Sequence, residues 1–255
     1  MKHSWAAGLA FIGIAACTSS IQTTSGADYL ARYDGSYEVA GGACGSDTDA
    51  DVKRIAAIEP DLHFPARIGL ARIGPRGNLA PVPASELAIW GDLATSLGEA
   101  YGEFVPVSPM IAAMVSDEGE GSSREVIDHI RRGAARQHLD YVLVYETASE
   151  SRNASNALAL ADLTIIGMFV LPSRDVKAEA TASAILLDVR NGYPYATLTA
   201  FADRKGLSRA VSSWSTRQEL AASAEEKAVL ELANDVRDTL PELAKATKTE
   251  APLEN

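Results

Sequence analysis

The chain has 255 residues, with 23 lysines and arginines against 34 aspartates and glutamates and a formal charge of −11. An acidic surplus of that size disfavours charge-driven binding to nucleic acid or anionic head groups. The length suits one large or two small domains with a real core.

Residues 1–16 read as an export signal. Lys2 supplies a positive start, and residues 5–16 are apolar and small with no acidic residue. An apolar core of about 7 to 15 residues ending in small residues is the secretory pattern, and it falls short of the about 20 apolar residues that span a bilayer. The run ends in Ile14-Ala15-Ala16-Cys17, which resembles the bacterial lipobox. The resemblance implies diacylglycerol on the Cys17 sulfur, cleavage after Ala16 and acylation of the new amino terminus. Several acyl chains, at about 0.8 kcal/mol per buried CH2, make a lasting anchor. An ordinary cleaved signal with a chance cysteine is the alternative. Thr18 stands where an aspartate would imply inner-membrane retention, so the lipobox resemblance implies the outer membrane, facing the periplasm. Removing residues 1–16, which carry Lys2 as their only charge, leaves 239 residues with 22 basic against 34 acidic. With Cys17 acylated, Cys44 has no partner in the chain; it pairs between chains or stays free in a loop. No second run of about 20 apolar residues follows; the nearest, residues 157–171, is short and contains Asp162.

Residues 17–26 are then a lipidated cysteine and a flexible Ser/Thr-rich tether, and residues 27–65 an irregular N-terminal arm with a short helix over residues 52–58. An α/β domain is expected over residues 66–243. Residues 66–73 alternate as a strand stopped by Gly74-Pro75. Leu87, Trp90, Ala94, Leu97 and Tyr101 form the apolar stripe of a helix over residues 84–101, and residues 104–107 form a short strand. A capping box at Ser122 and Glu125 opens a second helix running to about residue 138. Residues 140–146 are a central strand covered on both faces, and residues 163–171 are strand-like. Residues 176–189 and 193–202 make a hairpin about Asn191-Gly192, the pair suited to a type I′ turn. A two-residue loop puts Ser183, Ile185, Leu187 and Val189 on one face with Pro194, Ala196, Leu198 and Ala200. The phase slips near Ala184, which predicts a bulge or a change of covered face there. Ser215 and Gln218 open the last helix, which is expected to end near Pro241, and residues 244–255 form a disordered tail. The sum is an α/β (α+β) fold, a single domain with a mixed sheet, a hairpin in its C-terminal half and about three helices behind it.

Catalytic patterns are missing: no phosphate loop, no dinucleotide fingerprint, no serine in a nucleophile elbow. His129 and His138 lie nine residues apart on one predicted helix, on opposite faces at about 100° per residue, so they do not share a metal; His63 stands alone. Asp47, Asp49 and Asp51 resemble the start of a calcium loop, but the sixth position is Val52 instead of glycine and the twelfth Ile58 instead of glutamate. A solvated acidic loop is the reading preferred for these three, the only metal candidates. Asp117, Glu118 and Glu120 supply favourable charge near a helix N-terminus. No catalytic residue and no cofactor are therefore expected. An envelope hydrolase would need Asp47, Asp49, Asp51 or Glu120 beside a histidine in a cleft.

The run Thr24-Ser25-Gly26-Ala27-Asp28-Tyr29-Leu30, the strand over residues 66–73, the step into Leu139-Asp140-Tyr141-Val142 and Asp188-Val189-Arg190-Asn191-Gly192 resemble the rhombotarget-type lipoproteins of bacterial envelopes. The helix-to-strand step and hairpin are also similar to the α/β unit of the curli-secretion lipoprotein and to the amino-terminal domain of the Tol-system propeller protein. These resemblances imply a non-catalytic accessory or interaction module in envelope assembly, secretion or stress response. It would be anchored to the membrane through lipid on Cys17 and have an envelope protein as partner. The alternative they imply is a homo-oligomeric export component. No catalytic residue carries over.

Overall fold

Two neighbouring parallel strands, at residues 66–73 and 141–149, carry the sheet, and each buries apolar residues on both of its faces. The computed structural model describes residues 18–32, 47–115, 123–149, 180–202 and 214–250. In chain order these give β1 (Thr18–Ile21), α1 (Gly26–Ala31), α2 (Asp47–Ala56), β2 (Ala66–Ile73), β3 (Leu79–Ala80), α3 (Ala84–Leu97), a 3-10 turn (Glu99–Tyr101), β4 (Gly102–Pro106), α4 (Pro109–Ala113), α5 (Ser123–Arg136), β5 (Tyr141–Ser149), β6 (Ala180–Asp188), β7 (Pro194–Ala202) and α6 (Trp214–Glu250). The seven strands form one mixed sheet in the order β1-β7-β6-β5-β2-β3, with β4 also on the outer side of β2. β2 is parallel to β4 and β5, and the other pairs are antiparallel.

β5 shows why its apolar run is unbroken. Tyr141, Leu143 and Tyr145 pack on one side with α3 and α6, while Val142 and Val144 pack on the other with Ile130 and Ala134 of α5. Both faces are covered, as such a run predicts. On the α6 side the sheet presents Ala182, Ala184, Ala196 and Ala200, met by Ala224, Ala228 and Ala233 of the helix. Small side chains there bring backbone layers close, so dispersion contacts accumulate without bulky residues.

The hairpin departs from expectation in its loop. Asp188 N donates to Tyr193 O at 2.9 Å and Gly192 N to Asp188 O at 3.0 Å, which closes a four-residue loop. A type I′ turn needs positive φ at both Asn191 and Gly192; of the two, Gly192 alone has it, at 78°. The Asp188 carboxylate decides the outcome by accepting from the backbone of Arg190 at 2.7 Å and Asn191 at 3.3 Å, an Asx-type turn that outcompetes the two-residue loop. The irregularity expected near Ala184 sits between Leu186 and Leu187, which pair with Ala196 and Pro194 and leave Tyr195 as the extra residue. The faces change accordingly: Ala182, Ala184 and Leu186 oppose Ala200, Leu198 and Ala196.

Three further segments differ. Residues 18–21, expected in a tether, form the edge strand β1, with Thr18 opposite Thr199 and Ile21 opposite Ala196. Sheet pairing uses backbone groups, and an edge strand leaves its side chains in water, so polar composition does not oppose it. The arm contains α1 and a helix that begins five residues earlier than expected, at Asp47. The last helix runs through Pro241 to Glu250, across the expected stop and into the expected tail. An interior proline costs about 3 kcal/mol, and burial of Leu240 and Leu243 on either side of it offsets that cost. The strand expected over residues 163–171 and the first arm of the hairpin at 176–179 lie outside the described residues.

Candidate functional site

The residues singled out from the sequence do not converge. Cys17 lies outside the described residues and adjoins Thr18, the first residue of β1. Asp47, Asp49 and Asp51 are on a helix, which corrects the loop reading. At about 100° per residue, alternate helical positions diverge, whereas a calcium loop needs them to converge. Asp51 pairs with Arg54 at 3.3 Å on the surface. Among the described residues, no group of three or more potential ligands forms a metal site. His63 Nδ1 lies 3.2 Å from Tyr141 Oη and 3.8 Å from an Asp61 carboxylate oxygen. His129 is on α5, where burial and then Arg132 push its pKa down. His138 follows α5 in a left-handed conformation, φ 56°. Cys44, Asp117, Glu118, Glu120 and Asp162 lie outside the described residues.

What the fold does assemble is a polar cluster at each end of the sheet. At the hairpin-turn end, Asp188 is fully buried. Besides the two turn amides, its carboxylate accepts from Arg190 Nη2 at 3.0 Å and from Tyr195 Oη at 3.2 Å. Arg190 Nη1 reaches Asp61 at 2.8 Å, and its Nη2 donates to the Asp61 carbonyl at 3.1 Å. Tyr195 Oη accepts from Asp61 N at 2.9 Å. Tyr141 Oη accepts from His63 N at 2.8 Å and donates to Asp61 O at 3.0 Å. Asn191 Nδ2 donates to Glu59 O and Tyr193 Oη to Thr24 O. Burial pushes the Tyr141 hydroxyl up to about 12, against the His63 amide and with the Asp188 and Asp61 charges. Burial likewise raises Tyr195, beside Asp188. The Asp188 hydrogen bonds hold Arg190 charged, and Glu59 is held low by the Ala27 amide and Ser25 at the start of α1. Chemically this is a latch: arm backbone and turn side chains satisfy one another.

The second cluster sits toward the carboxyl ends of β2 and β5, the position where open α/β sheets commonly bind ligands. Arg72 Nε is 3.0 Å from both Glu86 carboxylate oxygens, and Tyr145 Oη donates to Glu86 at 2.7 Å. Arg72 Nη2 donates to Thr147 Oγ1 at 3.3 Å, which donates to Glu225 at 3.1 Å; Ser149 Oγ donates to Glu225 at 2.7 Å. The Trp90 ring meets the Tyr145 ring edge-on at 5.3 Å. The Glu86 side chain is 6% exposed and that of Arg72 14%. Burial and then the Glu86 charge push Tyr145 upward. Every oxygen of Glu86 and Glu225 has a protein donor, so the ion pair is enclosed and locked in place.

Sequence reasoning missed Glu86. It placed Leu87 on the buried stripe, yet Leu87 is 38% exposed and Glu86 5%. The signal was present: Glu86, Trp90, Leu93 and Leu97 recur at spacings of four, three and four, a helical face that admits a carboxylate once Arg72 and Tyr145 supply partners. A small void between the sheet and α6 is lined mainly by apolar side chains, among them Ile68, Phe104, Leu143, Leu198 and Leu240, with Thr239 beside them. Among the described residues, no helix is long and apolar enough to cross a membrane.

No family model and no curated protein matches the chain. Among solved structures, it is similar at 15% identity and a TM-score of 0.31 to the dodecamer of a point variant of PelC from Paraburkholderia phytofirmans, over 68% of this chain and 91% of that one. A second crystal form of the PelC dodecamer gives 14% identity and a TM-score of 0.30 over the same shares.

Proposed function

We propose that the chain is an envelope lipoprotein held to the outer membrane by lipid on Cys17 and working as a non-catalytic accessory or interaction module. The observation that carries this reading is the export signal ending in Ile14-Ala15-Ala16-Cys17, one residue before the first strand of the sheet. The two polar clusters support it, because their carboxylates and tyrosines engage one another and rigidify the fold. Val52 and Ile55, three residues apart on α2, are 57% and 49% exposed, and one helical turn bearing two large apolar side chains suits a protein contact.

Labelling cells with radioactive palmitate tests the anchor. The native chain takes up label and Cys17→Ser does not; label persisting in that variant overturns the reading. Crosslinking in intact cells followed by mass spectrometry tests the role. A reproducible foreign envelope protein supports the accessory module, whereas a ladder of self-crosslinks replaces it with a homo-oligomeric component.

A further inference from the structure

We infer that the lipid orients the domain: the end of the sheet carrying Thr18, Ala202, Ala180 and Ser149 faces the bilayer, and the hairpin turn, α1 and α2 face away. The inference rests on acylation of Cys17. Thr18 is already the first residue of β1, in register with Thr199, and the pairing continues through Ile21 opposite Ala196. Beyond the strand, Gln22 N donates to Tyr195 O at 2.8 Å. Cys17 is one Cα step, about 3.8 Å, from Thr18, so the lipid is spliced to the sheet edge with no slack.

The topology then says what lies beside it. β7 runs three residues past Thr199 to Ala202, about 10 Å of strand. Ala202 pairs with Ala180, and Ala180 with Ser149. β2, parallel to β5, finishes at the same end with Ile73, where the turn into β3 exposes Arg76. At the opposite end are the hairpin loop, α1, and the 3-10 turn whose Tyr101 packs edge-on against Phe64 at 5.4 Å. Swinging that end onto the membrane would draw the acyl chains out of the bilayer along the edge of β7, exposing methylenes to water. A free tether would tolerate either face; a paired strand does not.

The test uses the full lipidated chain, with Cys44→Ser, in vesicles of phosphatidylethanolamine and phosphatidylglycerol that carry a nitroxide on the head group. A fluorophore is placed on Arg76→Cys or on Glu99→Cys, both exposed and outside the two polar clusters. With the two ends separated by about 27 Å of β5, quenching at position 76 is expected to be about threefold or more above that at position 99. A twelve-residue Gly-Ser insertion between Cys17 and Thr18, with a reach of roughly 20 Å, brings the ratio close to one. Equal quenching at the two sites of the native chain, or a ratio that survives the insertion, overturns the orientation. Palmitate labelling of the same preparations separates the two layers. A labelled chain with equal quenching fails in orientation alone, and an unlabelled chain fails in its anchor and so in both.

Discussion

The two ends of the sheet solve different problems with the same residue types. At the turn end, Asp188, Arg190, Asp61, Tyr141 and Tyr195 join a loop to an arm more than a hundred residues away in sequence, and the Arg190 side chain stays 49% exposed. At the other end, Arg72 of β2 and Glu86 of α3 are paired and nearly buried, beside Tyr145. The first network organises chain that would otherwise be loose. The second is buried and coupled to the core, so its worth depends on both partners being present.

That comparison can be broken from the sealed end first. Glu86→Ala leaves the Arg72 charge buried without its carboxylate and is expected to cost about 3 to 5 kcal/mol in urea unfolding, whereas Arg72→Met combined with Glu86→Leu should come out close to native or above it. If the double variant is as unstable as the single one, the loss is not that of an orphaned charge. At the turn end, Asp188→Ala removes the acceptor of two turn amides, Arg190 and Tyr195, and is expected to cost about 2 to 3 kcal/mol. It should also raise amide exchange over residues 57–65, which Glu86→Ala should not do selectively. The smallest effect is a pH dependence. Tyr141 is a neutral acid whose folded pKa, about 12, lies above its ordinary value of 10.0. Its contribution is therefore complete below pH 10 and is lost as pH rises through the folded value. The denaturation midpoint should fall from pH 9 to pH 11, and Tyr141→Phe, at a cost of about 1 kcal/mol near neutrality, should flatten the fall. An unchanged slope would assign the alkaline loss to Tyr145 and Tyr195.

Much of the architecture was legible where hydrophobic period and burial agree. The run of β5 is apolar throughout because both its faces are covered, and Ala66, Ile68 and Leu70 of β2 alternate because they share the face toward α6. The clusters were less legible. Asp188 stood in a recognised hairpin, but the Asn191-Gly192 pair predicted a turn in which its carboxylate had no task. Glu86 was passed over because a carboxylate on an apolar stripe contradicts the pattern unless its partners, 14 and 59 residues away, are known.

The sequence by itself determined the acidic balance and the alternation of strands and helices, both of which depend on local order and composition. Only the tertiary structure decided that residues 18–21 are a strand, that α6 continues through Pro241, that the hairpin closes with four residues and that two carboxylates are buried with arginines. Three of those outcomes depend on partners that the fold brings together, β7 for the backbone of β1, the core around Leu240 and Leu243 for the helix, and Arg72 and Tyr145 for Glu86; the hairpin turn is decided locally by Asp188, and Tyr195 and Asp61 then complete its network. Pairing energy of that kind is a property of two segments brought together, and neither segment carries it alone.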